Sequence, residues 1–234
     1  MASISTRPSE ESHKIQSDHC SLQEKRIKKI IEEFLNKFSG LESKIGILTG
    51  GTKGGGVPEL ATIMAKEKGF KTIGIFPEVG CKYYLGDEYI DIPLCIESTY
   101  QDCKQSFQLE TPSYWGDESS VFAKALDAVV VIGGSAGTLI EIAYVLKMNS
   151  AILKAQKKSG STCPKLKYIV PISGFGGVSE NIYHIWADPE VTERSILSFT
   201  VNDGEKRPGR IYNGIQAANA LLFTKQLAIG ELYD

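Results

Sequence analysis

The chain is poor in the side chains that build metal and acid–base centres. Its 234 residues include three histidines, His13, His19 and His184, and two of these fall in the polar N-terminal stretch. That argues against a centre built on imidazole. The five cysteines, Cys20, Cys81, Cys95, Cys103 and Cys163, are odd in number and show no CxxC spacing. This pattern points to reduced thiols in a cytoplasmic protein, and away from a disulfide framework or a zinc site. There is no basic excess: the net charge is −2 and the pI about 6.0, so nothing marks a nucleic-acid partner. No apolar run reads as long enough to cross a membrane. Residues 1–20 lack the apolar segment of a signal peptide and read as a disordered tail. Repeats and low-complexity segments are also missing. A hydrophobic content of 42% with 23% charged residues is ordinary for a globular protein. Residues 21–234 are read as one domain.

What is present centres on residues 128–146. Ala128-Val-Val-Val-Ile132 is a continuous apolar run, as in a strand buried on both faces. Gly133-Gly134-Ser135-Ala136-Gly137-Thr138 follows, and then an apolar helix that carries Glu141. A strand, a glycine-rich turn and a helix start make an anion site, because unpaired N–H groups and the helix dipole point the same way. A plain tight turn is the competing reading.

Two similar turns occur elsewhere. Ile45–Thr49 reads as a strand, followed by Gly50-Gly51-Thr52-Lys53-Gly54-Gly55-Gly56 and a helix with Pro58 in its first turn. The spacing matches neither the dinucleotide fingerprint nor the P-loop. Lys53 suits a phosphate or plain solvent equally well. Lys167–Ser173 is another buried strand, followed by Gly174-Phe175-Gly176-Gly177 and a helix over 178–186. Residues 71–76 and 93–97 read as further strands. Amphipathic helices are read over 21–38, opened by a Ser21–Glu24 capping box, and over 211–229. The helix after Thr138 ends near Met148 or runs on to Lys158, and the longer form is preferred because Asn149-Ser150 is a poor stop. A further helix is read over 190–200, and 202–210 as a polar, basic loop.

Strands alternating with helices give an α/β fold, with a parallel sheet and right-handed crossovers. All strand-to-helix turns then lie on one edge, where ligands of such sheets bind. The three glycine turns should converge there. Many backbone donors and no metal ligands favour a phosphate-bearing small molecule, with no metal and no cofactor.

Leu48-Thr49-Gly50-Gly51, Ile73-Gly-Ile-Phe-Pro77 and Gly133-Gly-Ser-Ala-Gly-Thr-Leu-Ile-Glu141 together resemble the LOG superfamily. That group holds cytokinin-activating phosphoribohydrolases, long labelled lysine-decarboxylase-like, together with molybdenum-cofactor-carrier-like proteins and nucleotide sensors. The resemblance covers roughly residues 45–180. It implies a Rossmann-like, doubly wound, mainly parallel sheet with helices on both faces, a homodimer, and a nucleotide or phosphorylated nucleoside as ligand. It implies a phosphate cradle at Gly133, Gly134, Ser135, Gly137 and Thr138; the convergence expected of a parallel sheet adds Gly50, Gly51, Thr52, Gly174, Gly176 and Gly177 from the flanking turns. In the hydrolase branch the signature glutamate, here Glu141, helps to cleave the N-glycosidic bond of a nucleoside 5′-monophosphate. Two features depart from that branch. One residue is inserted at Ser135-Ala136. No arginine occurs between Arg26 and Arg194, and Glu118 stands about where the hydrolases use one.

Glu141 lies three residues after Thr138. On a helix starting at Thr138 the dipole would favour its carboxylate, which suits a base or an electrostatic partner better than an acid. Thr138–Glu141 is equally a capping box. Asp127, Asp117, Glu118, Thr49, Ser173 and Ser179 read more simply as caps and surface groups, and Lys206, Arg207 and Arg210 as a solvated loop. Tyr114 and Trp115 could stack a base, though satellite packing is the commoner use. Three readings remain: a nucleotide-binding enzyme, a non-catalytic sensor or carrier, and a structural or interaction protein with a vestigial pocket; the intact glycine turns and Glu141 favour the first two.

Overall fold

The computed structural model describes residues 10–53, 55–96, 117–159, 165–185, 188–200 and 208–229. The first helix, α1, runs Glu10–Asn36. It begins well before Ser21, so the later half of the expected tail is helical. Glu24 is not a cap; it pairs with Lys28 one turn on, at 2.7 Å. The apolar stripe behaves as its spacing predicts: Ile30, Ile31, Leu35 and Phe38 are buried against the sheet.

Strands β1 (Gly46–Thr49), β2 (Lys71–Pro77) and β3 (Ile92–Ile96) pair in parallel, in that order. Strands β4 (Ala128–Ile132) and β5 (Tyr168–Ile172) form a second parallel pair. No ladder joins the two groups among the described residues. They are united by packing instead. Val129, Val131 and Ile169 face one apolar core, while Val130, Ile132, Val170 and Ile172 face the other. In β1, Ile47 packs on the second core and Leu48 on the first. A strand with both faces buried must read as an unbroken apolar run, as 128–132 does.

Helices α2 (Gly56–Glu67), α3 (Glu78–Cys81), α4 (Asp117–Ala125), α5 (Ala136–Ser159), α6 (Gly177–Ile185), α7 (Pro189–Ser195) and α8 (Gly214–Ile229) complete the layers. Residues of α1, α2 and α8 fill one core, and those of α4 to α7 the other. This is the doubly wound, Rossmann-like α/β class. Residues 190–200 are not one helix: α7 stops at Ser195, and Phe199–Thr200 (β6) pairs antiparallel with Pro208–Gly209 (β7). Lys206, Arg207, Tyr114 and Trp115 lie outside the described residues.

The long form of α5 is the observed one. Asn149 does not stop the helix because its side chain is fully buried and bonded elsewhere. Its amide donates to the Lys167 carbonyl at 2.7 Å and to Ser195 Oγ at 2.8 Å, and its carbonyl accepts from the Lys167 amide at 2.9 Å. The window Ala136–Lys158 is, by length and composition, apolar enough to span a membrane, contrary to the expectation that no stretch is. Ile142, Val145, Leu146, Ile152 and Leu153 of this helix are buried within the protein.

The expectation of reduced thiols is corrected at two of the five cysteines, and Cys103 and Cys163 lie outside the described residues. Cys81 and Cys95 form a disulfide, with Cα atoms 5.5 Å apart. Their separation of 14 in sequence gives no hint of this. Parallel pairing of β2 with β3 carries the end of α3 over Cys95.

Candidate functional site

The central turn leaves β4 at Ile132. Gly133 and Gly134 take positive φ, 67° and 102°, which side chains rarely tolerate. A Cβ on Gly134 would lie 2.7 Å from Thr138 Cγ2, so a larger residue there would collide with the helix start. Helix α5 begins at Ala136, and the Leu139 amide donates to the Ser135 carbonyl at 3.0 Å. Among the described residues the amides of Ala136, Gly137 and Thr138 meet no protein acceptor. Ser135, Ala136 and Gly137 are exposed. The result is an open, electropositive end on a 24-residue helix.

The turn after β5 meets this one directly. The Val178 amide donates to the Gly134 carbonyl at 3.1 Å, and the Ser179 amide to the Gly133 carbonyl at 2.8 Å. In return the Gly133 amide donates to Ser179 Oγ at 3.0 Å, and that hydroxyl donates to the Gly176 carbonyl at 3.1 Å. The Gly174 amide donates to Glu180. These amides of the 174–179 segment are therefore taken up within the protein. Through Val178 and Ser179 this segment braces the central turn from behind.

The turn after β1 is directed elsewhere. Gly51 (φ 95°) lies beneath Phe76 and Tyr84, whose rings stack at 3.7 Å, and a Cβ there would collide with both. Its amide donates to Thr49 Oγ1 at 3.1 Å. Thr52 donates to Asp87 at 2.5 Å, and Lys53 pairs with the same carboxylate at 3.4 Å. The Asp87 side chain is 4% exposed. Burial pushes its carboxyl up, but hydrogen bonds from Thr52, the Tyr89 amide and Lys53 outweigh burial and hold it below the usual range. An internal anion thus sits on this turn. Beside it opens a cavity of about 450 Å³ lined by Thr52, Lys53, Glu59, Asp87, Glu88 and Tyr89. Three carboxylates there disfavour phosphate. No hydrogen bond joins Gly50, Gly51 or Thr52 to the central turn among the described residues. The turns after β4 and β5 are thus hydrogen-bonded to each other, while the turn after β1 is hydrogen-bonded to Asp87.

Glu141 is half-buried and lies beyond the first turn of α5, because the helix starts at Ala136 rather than Thr138. The capping box therefore does not form. Burial, and then the charge of Glu118 on the neighbouring α4, push the Glu141 carboxyl up to about 7. This reverses the expectation that the dipole keeps it ionised: desolvation and a like charge outweigh a dipole that fades beyond the first turn. Among the described residues no group of three His, Cys, Asp or Glu side chains is placed to hold a metal ion.

One contributor escaped the sequence altogether. Arg26 of α1 donates from Nη1 to the Gly174 carbonyl at 3.0 Å and from Nη2 to the Ser173 carbonyl at 3.4 Å. Its guanidinium lies over the Phe175 ring, 4.4 Å from the centroid. It stands 148 residues from Gly174 in sequence, and no local signal connects the two. Arg210 also reaches this edge and pairs with Glu180 at 3.2 Å.

With this geometry in view, the comparisons with known proteins are brief. The profile of the SLOG cluster4 family matches residues 41–168. No curated protein matches the chain. A solved structure, that of TM1055, a Northeast Structural Genomics Consortium target, aligns at 20% identity with a TM-score of 0.49. The alignment covers 86% of this chain and 89% of that one.

Two outcomes are expected. Gly177 has φ 61°, and a Cβ on it would collide with the Gly134 carbonyl. Gly177→Ala should therefore cost about 2 kcal/mol or more in urea unfolding; a loss below about 0.5 kcal/mol would contradict the brace. For Glu141, the folded state holds its proton to about pH 7 while the unfolded chain releases it near 4.5. Stability should fall as pH rises between those values and then level off. Glu118→Gln should narrow that window from its upper end. Glu141→Gln should remove its share of the slope and raise stability at pH 8, by about 1–3 kcal/mol. An unchanged pH profile in Glu141→Gln would show that the carboxyl is not shifted.

Proposed function

Since the chain belongs to the SLOG cluster4 family, its profile matching residues 41–168, we propose that it binds a nucleoside 5′-monophosphate with the phosphate at the open end of α5. The observation that carries this reading is the set of unpartnered amides at Ala136, Gly137 and Thr138, held outward by a turn whose carbonyls are fixed from behind. A phosphate there would accept from several amides at once and meet the helix dipole. Ser135 and Thr138 add hydroxyl donors.

Hydrolysis of the N-glycosidic bond is the finer part of the proposal, with Glu141 as the catalytic residue. Cleavage breaks the bond between C1′ and the base nitrogen, and the electron pair leaves with the base. Water adds at C1′, so the products are free base and ribose 5-phosphate. Positive charge grows on the ribose as the bond lengthens. A carboxyl that titrates near 7 is divided between two useful forms at neutral pH. The protonated form can deliver a proton to the departing base, and the ionised form can stabilise the ribose cation.

A second reading, a non-catalytic sensor or carrier, draws on Glu118. It supplies negative charge to Glu141 where the hydrolases place an arginine. Both readings include a homodimer. Leu139, Ile140 and Tyr144 lie near the start of α5 and are 40%, 42% and 39% exposed. Three large apolar groups on one helix face next to the ligand end suit a second copy of the same face.

The test is incubation with AMP, GMP, CMP and UMP, reading free base by chromatography and thermal stabilisation alongside. Base release that disappears in Glu141→Gln supports the enzyme. Stabilisation without release supports the sensor or carrier. Neither response overturns nucleotide binding. Sedimentation of the same protein should give a dimer that weakens in Ile140→Glu; a monomer at all concentrations would refute the paired face.

A further inference from the structure

We propose that Arg26, reaching from α1 across the β5 edge, contacts the phosphate of the bound nucleotide and supplies the guanidinium that the chain lacks between residues 27 and 193. The inference rests on the binding reading above and adds a residue to it.

Three observations carry it. The first is position. Phe175, on which the Arg26 guanidinium lies, is also the neighbour of the central turn. A Cβ on Gly133 would stand 3.6 Å from the Phe175 carbonyl oxygen and 3.7 Å from its Cβ. One side chain thus separates the guanidinium from the start of the 133–137 loop. The second is charge. Among the described residues Arg194 pairs with Glu190 and Arg210 with Glu180, whereas no carboxylate pairs with Arg26. Its partners are the neutral carbonyls of Ser173 and Gly174, which orient the group and leave its charge uncompensated. The third is donor count. A guanidinium has five N–H groups, and two are committed to these carbonyls. The side chain is exposed, so the rest face solvent at the rim.

The geometry is that of a cation held in place from below and open above. Two carbonyls and an aromatic face fix the plane of the fork, which lowers the ordering cost of gripping an anion. Lysine could keep the charge, but not both carbonyl bonds together with a planar fork. Gly174 adds a constraint of its own. Gly174 takes φ 88°, which favours glycine, and a Cβ there would lie 2.7 Å from Arg26 Nη2, so a larger residue would push the guanidinium from its present place.

Calorimetric titration of AMP, GMP, CMP and UMP and of the four parent nucleosides into wild-type protein, Arg26→Gln and Arg26→Lys tests this. Arg26→Gln should weaken the monophosphates about ten- to hundredfold, as expected for a lost charge-assisted bond. The parent nucleosides should change by less than about twofold, and Arg26→Lys should recover part of the loss. If monophosphate and nucleoside weaken equally, Arg26 only orders the 173–175 turn and the proposal fails. If wild type binds monophosphates and Arg26→Gln binds them as tightly, the proposal fails while the binding reading stands. If wild type binds none of the eight, both fall together. Unfolding midpoints of the variants, expected to be close to wild type because the side chain is exposed, separate lost contact from lost fold.

Discussion

The site depends on a pair of backbone hydrogen bonds between two loops. Val178 and Ser179, in the first turn of α6, donate through their amides to the carbonyls of Gly134 and Gly133. Without this pairing each carbonyl would lack these donors, and each amide would be an orphan at a helix start. Joining them satisfies four groups at once. It also fixes which way the 133–135 peptides face, and so which way the amides of Ala136 to Thr138 face. Glycine is needed on both sides of the joint. A Cβ at Gly177 meets the Gly134 carbonyl, and one at Gly134 meets Thr138. Close approach of two backbones leaves no room for side chains.

That joint forms because of the sheet. β4 and β5 are parallel neighbours in register from Ala128 with Tyr168 to Ile132 with Ile172. Parallel neighbours must release their chains at the same edge, so their following turns are placed side by side. β1 is not bonded to β4, and its turn runs instead toward the connection between α3 and β3. There it meets Asp87 and the ring pair of Phe76 and Tyr84. Glu141 follows from the same layout. It projects from α5 on the side packed by α4, where burial and Glu118 raise its carboxyl.

The parts legible in the sequence are those fixed by short-range pattern. The apolar run of 128–132, the stripe of α1 and the glycine after each buried strand are local consequences of burial and backbone geometry, and they place the elements correctly. Helix starts were less legible. Thr138 with Glu141 has the letters of a capping box, yet the helix begins two residues earlier because Ser135 already offers its carbonyl to Leu139. What could not be read is what depends on pairing across distance. The Cys81–Cys95 bond, the split of the sheet, the Arg26 contact with Gly174 and the burial of Asp87 have no signature at any fixed spacing.

Electrostatics then separates three turns that look alike as strings. At the turn after β1, the anion is already present as Asp87, held by Thr52 and Lys53. At the turn after β5, Glu180 accepts from the Gly174 amide and pairs with Arg210, while the Val178 and Ser179 amides are bonded to the central loop. In both places the protein supplies its own acceptors, and a ligand phosphate would have to displace a carboxylate. The central turn has no such internal anion among the described residues, and burial and Glu118 push the Glu141 carboxyl further along α5 up to about 7. Folding thus sets a carboxylate of the protein at two of the glycine turns and leaves the amides at the start of α5 without one. A phosphate would be drawn to that one loop rather than spread along the whole edge of the sheet.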